Sequence, residues 1–371
     1  MTRIQHPESS AQNPEYETLR IVVAPAIKDF YTNIKTTMKK SLLLLAMVAL
    51  LGNSVFGQKK GKEPAEKHEY DKFRMEKSHT IPDLKRLAIA QLTVDYKLTT
   101  TAKAITQEAS SRKIAGARVS AYLEFTDGDM TKEEYQEITN YFYSYFQKKL
   151  KAAGIDTVGW AAVTATEFYQ KSADDEASGE KESKSSNVWK TSSANNGKIL
   201  HHGNVGFAGG KGKRAMEFSK DLNAVMGLFE LAVDFADVVV NIEVKTRERK
   251  DLYDGWYFPE VTKTTYTWGI NPEMRIGNVE NGTLPMLSPA KGWGDMIMMW
   301  NDIESHARYA DLMTEDMSKA RSTVTSLVAF RKELTPVVIQ TTREKYKAAA
   351  KKTVEAYADN FVAMCEKYRE K

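Results

Sequence analysis

Between residues 86 and 154 the apolar period of the chain changes once, from two to about 3.6, and this switch restricts the fold more than any other feature. In RLAIAQLTVDYKL (86–98), Ala88, Ala90, Leu92, Val94, Tyr96 and Leu98 alternate with Ile89, Gln91, Thr93, Asp95 and Lys97. Successive side chains of a strand point to opposite faces, so this alternation predicts a strand with one face buried. KIAGARVSAYLEF (113–125) repeats the pattern, with Ala115, Ala117, Val119, Ala121, Leu123 and Phe125 on the inner face. A turn, TDGDM, follows, and then Thr131 and Glu134 stand at the spacing of a capping box. From there Tyr135, Ile138, Phe142, Tyr145, Phe146 and Leu150 recur at helical spacing, and Gly154 supplies a stop. Strands followed by an amphipathic helix predict an α/β fold: a twisted mixed sheet packed by helices, with a C-terminal helical extension.

The remainder of the chain fills in that plan. IDTVGW (155–160) reads as a short strand and TATEFYQK (164–171) as a short helix. SADDEASGEKESKSSN (172–187) has no apolar residue larger than alanine, and predicts a flexible surface insertion extending to Arg214. A helix with Phe218, Leu222, Val225, Phe229 and Ala232 on one face is expected next. ADVVVNIEVKT follows as a strand, with Val238, Val240, Ile242 and Val244 inward. TKTTYTWGI (262–270) alternates around Tyr266, Trp268 and Ile270, and GDMIMMW (294–300) is a short apolar run. The end of the chain reads as helical with an interruption at Pro336. Ala350, Val354, Tyr357, Phe361, Met364 and Tyr368 form a stripe that favours packing on its own domain over a partner helix. The expected organisation is a charged arm (58–81), an α/β domain (82–310) with an insertion (172–214), and a helical segment (311–371).

Ahead of the arm lies MKKSLLLLAMVALLGNSVFGQ (38–58). Lys39 and Lys40 precede ten apolar residues, Leu42 to Leu51, and small residues Val55 and Gly57 follow, as in a bacterial export signal. The run is too short for a spanning helix, which needs roughly 20 apolar residues. Cleavage would leave Gln58 first, and residues 1–37 read as a gene-model extension or a long leader. With Gln58 where an acylated cysteine would stand, no lipid anchor is expected. The predicted compartment is the Gram-negative envelope: periplasm, outer-membrane-associated or cell surface.

Composition sets further bounds. Residues 1–57 hold six Lys/Arg and four Asp/Glu, which lowers the formal charge of +4 to about +2 for the exported part, and no case for nucleic acid can be built on that. With 42% apolar and 10% aromatic residues the chain can bury a core. The single Cys365 forms no internal disulfide and reads as a small apolar residue of the terminal helix.

Motifs for chemistry mostly fail on inspection. LHHGNVGFAGGKGKRA (200–215) lacks the glycine and the Ser/Thr of a phosphate loop, and reads as a basic loop whose Lys211, Lys213 and Arg214 could touch an anion. His201 and His202 are adjacent and diverge on a strand, and His68, His79 and His306 are scattered singly, so no metal is expected. Asp127 and Asp129 follow a strand and precede a helix, where α/β folds often place sites, although Asp is also an ordinary turn former. Glu243 has no evident partner. Tyr141, Phe142, Tyr143, Tyr145 and Phe146 exceed one helix face and predict a second, exposed or interface-facing patch. No cofactor is expected. Aromatic residues in DLYDGWYFPE (251–260) leave a surface glycan-binding module as one alternative, and a hydrolase using Asp127 and Asp129 as another.

Residues 115–245 carry ARVSAYLEF, a long helix ending LKAAGID, TVGWAAVTATEFYQ, and a helix running into DFADVVVNIEVK. This order resembles the periplasmic domain of CsgG-like secretion proteins and the amino-terminal domain of TolB-like proteins. The resemblance implies an exported α/β domain serving assembly or transport in the envelope without catalysis. The expected function is therefore a non-enzymatic scaffold, assembly or transport-associated component. Its expected partners are other envelope proteins or further copies of itself, and Tyr357, Phe361, Met364 and Tyr368 are candidate interface residues.

Overall fold

The computed structural model describes residues 72–74, 78–107, 113–172, 180–182, 188–200, 211–250, 257–279, 284–292, 294–319 and 331–369. All lie in the compact unit His68–Lys371. The export signal and the segment ahead of it fall outside the described residues. In chain order the elements begin β1 (Phe73–Arg74), β2 (Arg86–Lys97), β3 (Thr99–Gln107), β4 (Lys113–Phe125), α1 (Lys132–Ala152), β5 (Asp156–Thr157), α2 (Trp160–Thr164) and α3 (Glu167–Lys171). They continue β6 (Glu180–Glu182), β7 (Val188–Ser193), α4 (Lys211–Asp221), β8 (Val225–Asp234), β9 (Asp237–Lys250), β10 (Tyr257–Asn271) and β11 (Arg275–Asn278). The last are β12 (Met286–Ser288), β13 (Asp295–Met296), β14 (Met298–Met299), β15 (Ile303–Glu304), β16 (Leu312–Glu315), β17 (Arg331–Glu333), β18 (Val337–Thr341) and α5 (Arg343–Arg369).

The architecture is α/β. The larger sheet runs β13-β12-β8-β2-β7-β6, with β2 parallel to β8 and antiparallel to β7. Helices cover both of its faces. Leu87, Ile89, Leu92, Val94 and Tyr96 of β2 pack with α1 and α5, whereas Ala88 and Ala90 pack with Val163, Phe168 and Phe218 of α2, α3 and α4. The predicted single-faced alternation therefore needs correction. Residues 87–96 are buried throughout, and a register shift between Ile89 and Gln91 moves the inner face from odd to even positions. A β-bulge does this by inserting one unpaired residue.

Helix α1 begins as expected. Thr131 Oγ1 accepts from the Glu134 N–H (3.3 Å) while Glu134 Oε2 accepts from the Thr131 N–H (2.9 Å). It ends at Gly154, whose φ of 73° lies in the left-handed region that glycine occupies without strain. Helix α5 runs beside it in the same direction: Glu137 meets Lys351 (2.6 Å), Tyr145 meets Asp359 (3.2 Å), and Arg369 donates to the Ala153 carbonyl (2.7 Å). Beneath these polar contacts Phe142, Phe146, Phe229, Tyr357 and Phe361 form a set of edge-to-face rings. Such pairs add about 0.5–1.5 kcal/mol each beyond the area they bury.

The second sheet runs β16-β18-β4-β17, with β3 on the other edge of β4. Residues 312–315, 331–333 and 337–341 are thus strands, and the helical segment begins at Arg343 rather than at 311. Pro336 precedes a strand and does not interrupt a helix. Two further expectations change. Residues 216–232 are not one helix: α4 stops at Asp221, Asn223 takes φ 44°, and β8 begins at Val225. Within the expected insertion, residues 188–193 form β7 on the edge of β2, where Thr191 Oγ1 donates to Asp95 (2.6 Å). The end of the charged arm also belongs to the core, since Phe73 packs edge-on against Tyr357 and Phe361. Among the described residues no helix is long and apolar enough to cross a membrane.

Candidate functional site

Two features stand out where β9 and β10 leave the larger sheet. The first is the hairpin they form. It pairs from Asp237↔Asn271 to Lys250↔Tyr257, and among the described residues the two strands pair only with each other. Val238, Val240, Ile242, Tyr266, Trp268 and Ile270 face Ala117 and Val119 of β4 and Leu334, as their alternation predicts. Val239, Asn241 and Glu243 face outward. Arg275 of β11 fastens the base of the hairpin, with Nη1 on Asp237 (2.6 Å) and Nε on Asp302 (3.3 Å).

The second feature lies at the joint between β10 and β11. Glu273 follows Pro272, and β15 runs antiparallel to β11, with Arg275 opposite Glu304. Ser305 ties this turn down: its N–H (3.1 Å) and its hydroxyl (3.0 Å) both donate to the Met274 carbonyl. His306 follows in the left-handed region, at φ 53°. Among non-glycine residues, Asn, Asp and His are the ones enriched in that region. Its Nδ1 meets Glu273 Oε1, while Glu273 Oε2 accepts from the Asn271 amide (3.0 Å). One donor atom from each of Glu273, Glu304 and His306 lies within 4.8 Å of the others. The group borders a cleft of about 450 Å³ lined by residues 271–273 and 306–310.

The sequence alone does not join these three residues, since His306 stands apart from every other histidine. The local signal was Glu304-Ser305-His306, two potential ligands with one residue between them. Glu273, 33 residues from His306, carried no signal at all.

The residues singled out from sequence are dispersed. Asp127 accepts from the Arg343 N–H (3.0 and 3.3 Å) and meets the Arg343 guanidinium (3.6 Å), so it serves the amino end of α5. The Arg343 N–H holds the Asp127 carboxyl below its ordinary value, against a smaller opposing effect of desolvation. Asp129 is exposed nearby. Lys211, Lys213 and Arg214 lie on the first turn of α4, not in a loop. Tyr357 and Phe361 have no exposed surface, Met364 is buried, and Tyr368 packs against the core. That stripe therefore packs on its own domain. Tyr141 and Tyr145 face α5, where they meet Glu355 and Asp359, so the second aromatic face is not a free patch. Cys365 is fully buried, and burial pushes its thiol up to about 12, as suits a core residue. His68, His201, His202 and residues 251–256 lie outside the described residues.

No family model matches the chain, and neither a curated protein nor a solved structure matches it.

Proposed function

We propose that this protein is an exported component of the cell envelope that acts as a scaffold or assembly element without catalysis, and that the β9–β10 hairpin is its working surface. The observation that carries this reading is a long hairpin held to the body by one face, with two strand edges unpaired among the described residues. Unpaired edges present rows of backbone donors and acceptors to which another strand can add. The partner would be a second copy or another envelope protein. Further support comes from the 295–300 segment, which turns Met296, Met298 and Trp300 outward while Ile297 and Met299 face the core. The reading also draws on the export signal. The CsgG-like and TolB-like resemblance is kept with one amendment: β8 stands between α4 and the Val238–Val240 strand, where the resemblance has the helix running straight into it.

Lys245 and Lys263 are direct neighbours across the hairpin, so an Asn-Gly turn joining them removes residues 246–262 and leaves the packed base. Light scattering on the protein recovered from the envelope should give a discrete oligomer or complex that this shortened variant fails to form, with unfolding temperature unchanged. Monomers in both cases, or a cytoplasmic protein that keeps its first 57 residues, would overturn the reading. So would a turnover reaction abolished by Asp127→Ala and Asp129→Ala.

A further inference from the structure

The joint at the base of the hairpin has an electrostatic problem. Glu273 and Glu304 come from separate segments and bring carboxylate oxygens within 4.8 Å of each other. Among the described residues no lysine or arginine pairs with either of them. Arg275, the nearest guanidinium in sequence, is committed to Asp237 and Asp302. Two carboxylates this close repel unless a proton or a cation is shared between them; the His306 ring meets Glu273, and among the described residues no basic side chain meets Glu304. The third member of the group is an imidazole, which adds a nitrogen donor to the two carboxylates.

We propose that Glu273, Glu304 and His306 bind a divalent transition-metal cation of the zinc class. The donor set discriminates between metals. Calcium and magnesium take oxygen ligands, whereas one imidazole nitrogen with two carboxylates suits zinc and its neighbours. Metal–ligand distances near 2.0–2.2 Å place donors roughly 3–3.5 Å apart around a tetrahedral ion, which small side-chain rotations from the present positions reach. The cleft that Glu273 and His306 line gives the ion a route in. A cation here ties the connection after β10 to the connection after β15, and so fixes the hairpin's exit from the body. The inference stands on this joint alone and does not depend on the hairpin having a partner.

Calorimetric titration of the chelator-treated full chain with zinc chloride tests it. One saturable site is expected, together with a rise in unfolding temperature on zinc addition and no competition from excess calcium. His306→Asn removes the imidazole but keeps a residue that tolerates the left-handed backbone. Glu304→Gln removes a charge from an exposed side chain, so neither change should disturb folding, which far-ultraviolet dichroism checks. Each should weaken zinc binding about tenfold or more. Absence of saturable binding would overturn the proposal. So would binding unchanged in both variants but lost when His201 and His202 are both replaced by alanine.

Discussion

Strands β8 and β9 are separated only by Phe235 and Ala236, yet they are held in different ways. β8 lies between two layers of helices: Phe229, Leu231 and Val233 join the α1–α5 side, and Met226 and Leu228 join the α4 side. β9 has protein against one face, and its other face carries Val239, Asn241 and Glu243. The sequences already differ accordingly, VMGLFELAVD being nearly continuous in apolar residues and DVVVNIEVK alternating. A strand covered on both sides favours a nearly continuous apolar run, whereas a strand covered on one side favours a polar residue at every second place. The contrast separates a part of the molecule built for stability from a part that keeps surface available.

Replacing one buried side chain on each strand tests that separation. Phe229→Ala should have the larger effect, since its ring meets Phe146 (5.2 Å) and Phe361 (5.4 Å) with no exposed surface. A loss of about 3–5 kcal/mol is expected in denaturant unfolding. Val240→Ala, in the small cluster under the hairpin, should cost about 1–2 kcal/mol. Its sharper signature is hydrogen exchange: faster exchange confined to 237–244 and 264–271, with β8 unchanged. Equal losses from the two substitutions, or exchange spreading into β8, would show that hairpin and body unfold as one unit.

The smallest effect concerns the start of the helix that covers β8. The Asp127 carboxyl is held below its ordinary value, so its contribution is complete above the usual aspartate value near 3.9 and fades as pH falls through the lower folded value. Asp127→Asn should lower the unfolding temperature slightly at pH 7, and the gap from wild type should close in strong acid. A gap that persists at low pH would mean that shape, not charge, matters at that position.

Much of the fold was legible in the sequence because it is local. The Thr131–Glu134 box, the stop at Gly154 and the alternation of Val238 to Val244 each depend on residues within a turn or a strand of one another. The failures have equally definite causes. The bulge beside Ala90 shifts the inner face without leaving any mark in composition. Leu222, Val225, Phe229 and Ala232 fit a helical stripe by coincidence, across an Asn223 that ends the helix. β17 and β18 find their partner in β4, at Arg331↔Gly116 and Val337↔Ala121, and β16 then adds to β18. The Glu273–Glu304–His306 group fails for the same reason, since it is assembled by strand pairing and not by spacing.

The pairing of α1 with α5 has a kinetic side. Tyr141 reaches Glu355 and Lys351 reaches Glu137, in each case across 214 residues. β18 lies against β4 from Val337↔Ala121 to Thr341↔Phe125. One wall of the main core therefore comes from β18 and α5, which follow in the chain every element they cover. Closing such a long loop is slow, and until it closes the apolar faces of α1, β2 and β8 lack their cover. For a cytosolic protein that delay is an exposure to aggregation. For the exported chain proposed above, the same order keeps the core from closing before translocation, because this wall is synthesised after every element it covers.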